Sequence, residues 1–207
     1  MRGEAAAGLL DSYDAERRPI GEEMVGRTVQ SARVGIDADS NDPDFIVRRE
    51  AQLLISYAGS PIACTTSDAS GGPQAGSRAP DASDLTRDAV TAPMRLYSLL
   101  GRREHAALLH AGEALDADSA AALEATAQTL REAAVGRIEV CLVAAAGVDV
   151  AATRLPLLRD TKGEFARAYA ATGVSAFVVR PDGYLGMAMR GALVTQDLLA
   201  HLKATFG

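Results

Sequence analysis

The sequence predicts an α/β fold, a central mixed sheet with helices on both faces, preceded by an α-helical extension. Three observations carry this. From about residue 94, apolar runs of strand length alternate with segments of helical period. One run, "RIEVCLVAAA", is almost continuously apolar, as expected for a strand covered on both faces. Near the C-terminus, Pro181-Asp182-Gly183 separates two apolar runs and supplies hairpin chemistry.

In chain order, residues 4–34 read as helical, with Leu9, Tyr13, Ile20 and Met24 near one face. Pro19 lacks an N–H and clashes with the preceding turn. The expectation is therefore one helix ending near Arg17 and a second carrying Pro19 in its first turn. Residues 35–43 form a linker, 44–55 a helix, and "LLISYAGSPIA" a short strand ending at Ser60-Pro61. Residues 65–93, dominated by Gly, Pro, Ser and Asp, read as a long surface loop.

The pattern then becomes regular. "MRLYSLLG" is a short helix or turn, "EHAALLHAG" a strand, and residues 116–134 a helix with Leu123, Ala127, Leu130 and Ala134 on one face. "RIEVCLVAAA" is the buried strand, "LPLLRD" a turn or short strand, and "KGEFARAYAATG" a helix closed by Gly173. A hairpin spans "VSAFVVRPDGYLGMAMRG". A last helix is capped by Thr195 and buries Leu198, Leu199, Leu202 and Phe206. The order β-α-β-α-β-β-α is the thioredoxin-like arrangement.

Of the 207 residues, 48% are apolar and none is Trp, so the core is expected to be aliphatic. A net charge of −6 argues against nucleic acid or an anionic membrane as partner. No apolar run is long enough to span a bilayer, and no secretory signal pattern opens the chain. Cys141 reads as a buried small hydrophobe and Cys64 as a free loop thiol, which points to a reduced, cytoplasmic chain.

The usual devices of catalysis are absent from the sequence. It contains no G-x-G-x-x-G, no P-loop and no C-x-x-C. After the strand "EHAALLHAG", where a thioredoxin-like fold keeps its redox cysteines, stand Gly112, Glu113 and Ala114. His105 and His110, five apart on one strand, point to opposite faces and make no metal pair. His201 reads as exposed. Asp160, Lys162 and Glu164 read as a charged helix start, and Arg180 and Asp182 as hairpin residues. No catalytic, cofactor-binding or metal-ligating residue is assigned.

One stretch is more specific. "RGEAAAGLLDSYDAERRPIGEEMVGRT" resembles the end of the flavin-binding domain of FAD-dependent aromatic hydroxylases, a helix carrying Leu-Leu-Asp-x-Tyr-x-x-Glu-Arg-Arg-Pro. The matching residues are Leu9, Leu10, Asp11, Tyr13, Glu16, Arg17, Arg18 and Pro19. "LLISYAGSPI" resembles the strand that follows in that family. "GPQAGSRAPDASDL", with Gly76, Arg78, Ala79, Pro80 and Asp81, resembles its entry to the C-terminal domain. "RPDGYLGMAMRG" resembles its closing hairpin, with Met187 to Met189 in place of an aromatic.

The resemblance covers the chain and matches the last third of such a hydroxylase. It divides the chain into 1–60, the end of a flavin-binding domain; 61–93, a linker; and 94–207, a thioredoxin-like domain of the non-redox kind. It implies FAD and NAD(P)H for an intact parent enzyme, a phenol or polyketide monooxygenase, but none for this chain, whose sequence lacks the flavin motifs. The expected role is structural and associative, with a flavin-binding domain or protein, or a second copy, covering Leu9, Leu10, Tyr13 and Ile20. Two alternatives stand beside it: a stand-alone interaction module without redox activity, and a peroxiredoxin-like protein using Cys64.

Overall fold

The computed structural model describes residues 6, 8–34, 42–65, 71–87, 90–100 and 104–207. Among these, eight strands form one mixed sheet in the order β1-β8-β7-β4-β5-β6-β2-β3. The strands are β1 (Cys64–Thr65), β2 (Leu85–Arg87), β3 (Val90–Met94), β4 (His105–Ala111), β5 (Ile138–Ala145), β6 (Leu157–Asp160), β7 (Val174–Val179) and β8 (Leu185–Met189). The helices are α1 (Leu9–Val34), α2 (Pro43–Glu50), α3 (Leu96–Leu99), α4 (Ala117–Ala133), α5 (Glu164–Tyr169) and α6 (Thr195–Phe206).

The centre is the expected one. β4 pairs parallel with β5 and antiparallel with β7, and β7 pairs antiparallel with β8. This is the thioredoxin-like core. Side chains alternate across β4, so each face receives its own apolar cluster. Ala107, Leu109 and Ala111 join Leu123, Leu130, Leu198 and Leu202 under α4 and α6. Ala106 and Leu108 join Phe165, Tyr169 and Phe177 under α5. Phe165, Tyr169 and Phe177 are in mutual ring contact, with centroids 4.3 to 5.9 Å apart, so the α5 face is aromatic rather than purely aliphatic.

Six local expectations need correction. α1 runs unbroken through Pro19. The lost Pro19 N–H bond is tolerated because both halves are anchored elsewhere, by Glu16 to Arg180 and by Arg27 to Glu50. α2 stops at Glu50 because Gln52 turns left-handed (φ 58) and Leu53 N–H returns to Arg48 O at 2.8 Å, a Schellman closure. "LLISYAGSPIA" therefore makes turns, and only Cys64–Thr65 beyond it pairs as a strand.

The loop expected over 65–93 carries β2 and most of β3, a hairpin that extends the sheet through β6. Its apolar residues are sparse but well placed: Ala79, Ala82 and Leu85 are buried in the α5-face cluster. α5 closes at Tyr169, with Ala170 left-handed (φ 48), rather than at Gly173. The N-cap of α6 is Val194, and the Thr195 hydroxyl instead bonds Thr126 of α4 at 2.9 Å.

Candidate functional site

The densest polar arrangement lies where α1 meets the β7–β8 hairpin. Arg180 leaves β7 on the α6 face and donates to Glu16 through both terminal nitrogens, at 2.5 and 2.8 Å. Its Nη2 also reaches Asp182 at 2.7 Å, inside the same hairpin turn. Ser60 donates its hydroxyl to Glu16 at 2.6 Å. The Glu16 side chain is 5% exposed and that of Arg180 10%, so the pair is held out of water. Burial pushes the Glu16 carboxyl up, but the bonds from Arg180 and Ser60 and the charges of Arg180 and Arg17 outweigh it and hold it below the usual range. Tyr57 packs against Tyr184 at 4.5 Å, with the guanidinium groups of Arg17 and Arg180 over its ring at 5.4 and 5.6 Å.

Deeper on the same face lie two histidines. His201, expected to be exposed, is buried, and its Nε2 has no hydrogen-bond partner. It faces Gly186, where an added Cβ would stand 2.8 Å from Nε2. The sequence showed Leu198 and Leu202 as the inward stripe of α6, and His201 lies between them at helical spacing. His105 packs edge-on against Phe206 at 5.0 Å. Burial holds both imidazoles down, to about 4, and the Arg180 charge adds to this. Both are neutral at physiological pH.

The remaining candidates are held in other local contacts or stand exposed. His110 faces α5, opposite His105 as expected, and its Nδ1 lies 2.9 Å from Gly173 O. Asp160 is buried and accepts from the N–H groups of Phe165 and Ala166 at 3.2 and 3.0 Å, a carboxylate seated on the α5 N-terminus. Lys162 pairs with Asp84 at 3.1 Å, and Glu164 accepts from Ser83 N–H at 2.7 Å. Cys64 is an exposed free thiol on β1 and opens no helix. Cys141 is a free thiol, half-buried rather than fully so, and burial pushes it up. Gly112 turns left-handed (φ 76) at the end of β4 against Gly173, so the position is occupied by backbone contact.

At three helix starts among the described residues a carboxylate takes the place a phosphate would use. Asp116 occupies that of α4, accepting from Ser119 N–H at 2.7 Å. Asp42 occupies that of α2, Asp160 that of α5, and α6 starts behind Val194 without a side-chain cap. The described residues hold no cluster of metal-ligating side chains. None of their helices is long and apolar enough to cross a membrane.

The apolar face expected to seek a partner is present but differently composed. Ser12 and Glu16, not Leu10 and Tyr13, are the buried residues of α1. Leu10 and Tyr13 are 75% and 65% exposed, and Met24, Val25, Val29, Phe45 and Val47 are exposed with them. Leu9 and Ile20 are half-buried.

No protein-family model and no curated protein matches the chain. Two solved structures share its fold over 98% of its length. One is aklavinone-11 hydroxylase, in complex with FAD and aklavinone, with a TM-score of 0.65 and 22% identity. The other is the flavin-dependent monooxygenase PieE, in complex with FAD and substrate, with a TM-score of 0.66 and 18% identity. The chain spans 36% of the first protein and 41% of the second.

Proposed function

We propose that the chain is the C-terminal structural and association part of an FAD-dependent aromatic-ring monooxygenase, inactive by itself. The observation that carries this is the exposed apolar face of α1 and α2, on an extension whose polar residues hold it to the domain. Leu10, Tyr13, Val25 and Phe45 stand in water, while Ser12 and Glu16 anchor the helix. Covering each large apolar side chain is worth about 1.5–3 kcal/mol, so the face favours a protein partner. A flavin-binding domain is the reading supported by the shared fold of the two hydroxylases.

In this reading FAD, with NAD(P)H as its reductant, resides in that partner. Asp116 and Asp160 at the helix starts disfavour a phosphate here. The role needs no catalytic residue, and the compartment proposed is the cytoplasm. The test is the visible spectrum of the purified chain, alone and mixed with the flavin-binding portion of such a hydroxylase. No flavin absorbance alone and comigration with the yellow partner on gel filtration are expected. A stoichiometric yellow chromophore in the isolated chain would overturn the proposal.

A second reading is a stand-alone, non-redox interaction module. The Glu16–Arg180 pair favours it, because it makes α1 an integral part of this domain. Comigration with the flavin-binding portion decides between the two.

A further inference from the structure

β6 is too short to cover β5. Pairing between them starts at Leu142, whose N–H donates to Pro156 O at 2.8 Å. Backbone groups of alternate residues leave a strand on the same side. Val140 and Ile138 therefore direct their N–H and C=O groups the way Leu142 does, away from β4. No strand among the described residues pairs with them there. Before Pro156 the chain departs toward α4, with Leu155 buried in the α4-face cluster. The far wall is Arg87, the last residue of β2, which runs antiparallel to β6.

The result is a groove of about 570 Å³ in the sheet, lined by Arg87, Arg131, Ile138, Glu139, Val140 and Cys141 among others. Its charge is uneven. Arg87 and Arg131 make no salt bridge with any described residue, and the nearest polar contact of Arg131 is Val140 O at 3.5 Å, the long limit of a hydrogen bond. Among the described residues that line it, Glu139, exposed on the rim, is the one carboxylate.

We propose that this notch is a docking site for an extended acidic peptide of another protein, which adds as a short strand to β5. An unpaired edge is a template for strand addition, and main-chain bonds supply the affinity. The free edge over Ile138–Cys141 accommodates about four residues, ~13 Å of strand. Carboxylates on the peptide meet Arg87 on one side of the sheet and Arg131 on the other. The Val140 C=O exchanges its long contact with Arg131 for a peptide N–H.

The probe is a blocked hexapeptide Val-Glu-Glu-Glu-Glu-Val, whose successive glutamates face opposite sides of the sheet, compared with its lysine counterpart, on the full chain carrying Cys64→Ser. Saturable binding of the glutamate peptide below about 1 mM is expected, weakened about tenfold by Arg87→Ala or Arg131→Gln. Amide exchange at Val140 slows about tenfold on binding, and thiol labelling of Cys141 slows with it. Equal binding of the lysine peptide, no saturable binding, or an unchanged Val140 amide would overturn the proposal. So would a Val140 amide protected in the free chain in a concentration-dependent way, since a second copy would then fill the notch. The Val140 readout uses no arginine variant and stands even where a variant perturbs the hairpin.

Discussion

Glu16 and Arg180 form a bidentate ion pair, at 2.5 and 2.8 Å, across 164 positions of chain. It joins α1 to the β7–β8 hairpin. Such a pair, taken out of water, contributes little net stability as a pair, but breaking one partner strands the other. Glu16→Ala is therefore expected to lower unfolding free energy by about 3 kcal/mol, with Arg180 left only Asp182. Urea denaturation followed by circular dichroism measures it. A loss no larger than that of an exposed control such as Asp14→Ala would refute the buried-pair account.

The same region sets an acid limit. His105 and His201 titrate at about 4 in the fold, against about 6.5 when unfolded. A depressed imidazole means that the unfolded chain binds protons first. Their contribution is fully present above about pH 6.5 and is lost as pH falls toward 4, by up to about 1.4 kcal/mol per pH unit for each histidine. Glu16, also held down, works in the same direction at lower pH. Replacing His201 by Leu removes one titrating group and the unpartnered Nε2. Its expected outcome is a shallower stability decline between pH 6.5 and 4. Melting temperatures at half-unit pH steps show whether the slope changes.

Two glycines separate backbone need from helix convenience. Gly76 sits at φ +86, where a Cβ would lie 2.5 Å from the Tyr57 backbone. Its N–H donates to Leu185 O, and its own C=O accepts from Tyr57, both at 2.7 Å. Gly76→Ala is expected to cost about 3 kcal/mol or more, through strain at a special backbone position. Gly26 lies inside α1 with nothing within 4 Å. Gly26→Ala should stabilise by about 0.5–1 kcal/mol. Equal effects at the two sites would contradict the assigned geometry.

How much of this was legible in the sequence depends on the source of the signal. β4, α4, β5 and the β7–β8 hairpin were, because period and turn chemistry are local and strong there. β2 was not: "DLTR" is short, polar at alternate positions, and is a strand only because β6 offers an edge. Pro19 misled because propensity argued for a break that tertiary anchors override. For α1, the apolar stripe marked the face expected to seek a partner, while the inward face, Ser12 and Glu16, went unread. A polar anchor carries no periodic signature, and only the distant Arg180 makes Glu16 an inward residue. His201 is an inward polar residue that helical spacing alone could have found, since it lies between Leu198 and Leu202.

The outward stripe of α1 yields the last prediction. Leu10 and Tyr13 contribute little to the isolated fold, being mostly in water. Replacing both by Ser should therefore change the melting temperature by no more than about 2 °C. The same double change should weaken association with a flavin-binding partner about a hundredfold or more, since two large side chains would lose burial worth about 1.5–3 kcal/mol each. Ser12→Leu gives the converse test. It disturbs a buried side chain whose hydroxyl donates to Leu9 O at 2.7 Å, so stability should fall while the outward stripe is untouched. A Leu10/Tyr13 variant that unfolds, or that binds the partner as well as the parent chain, would show that this face is not where α1 meets another protein.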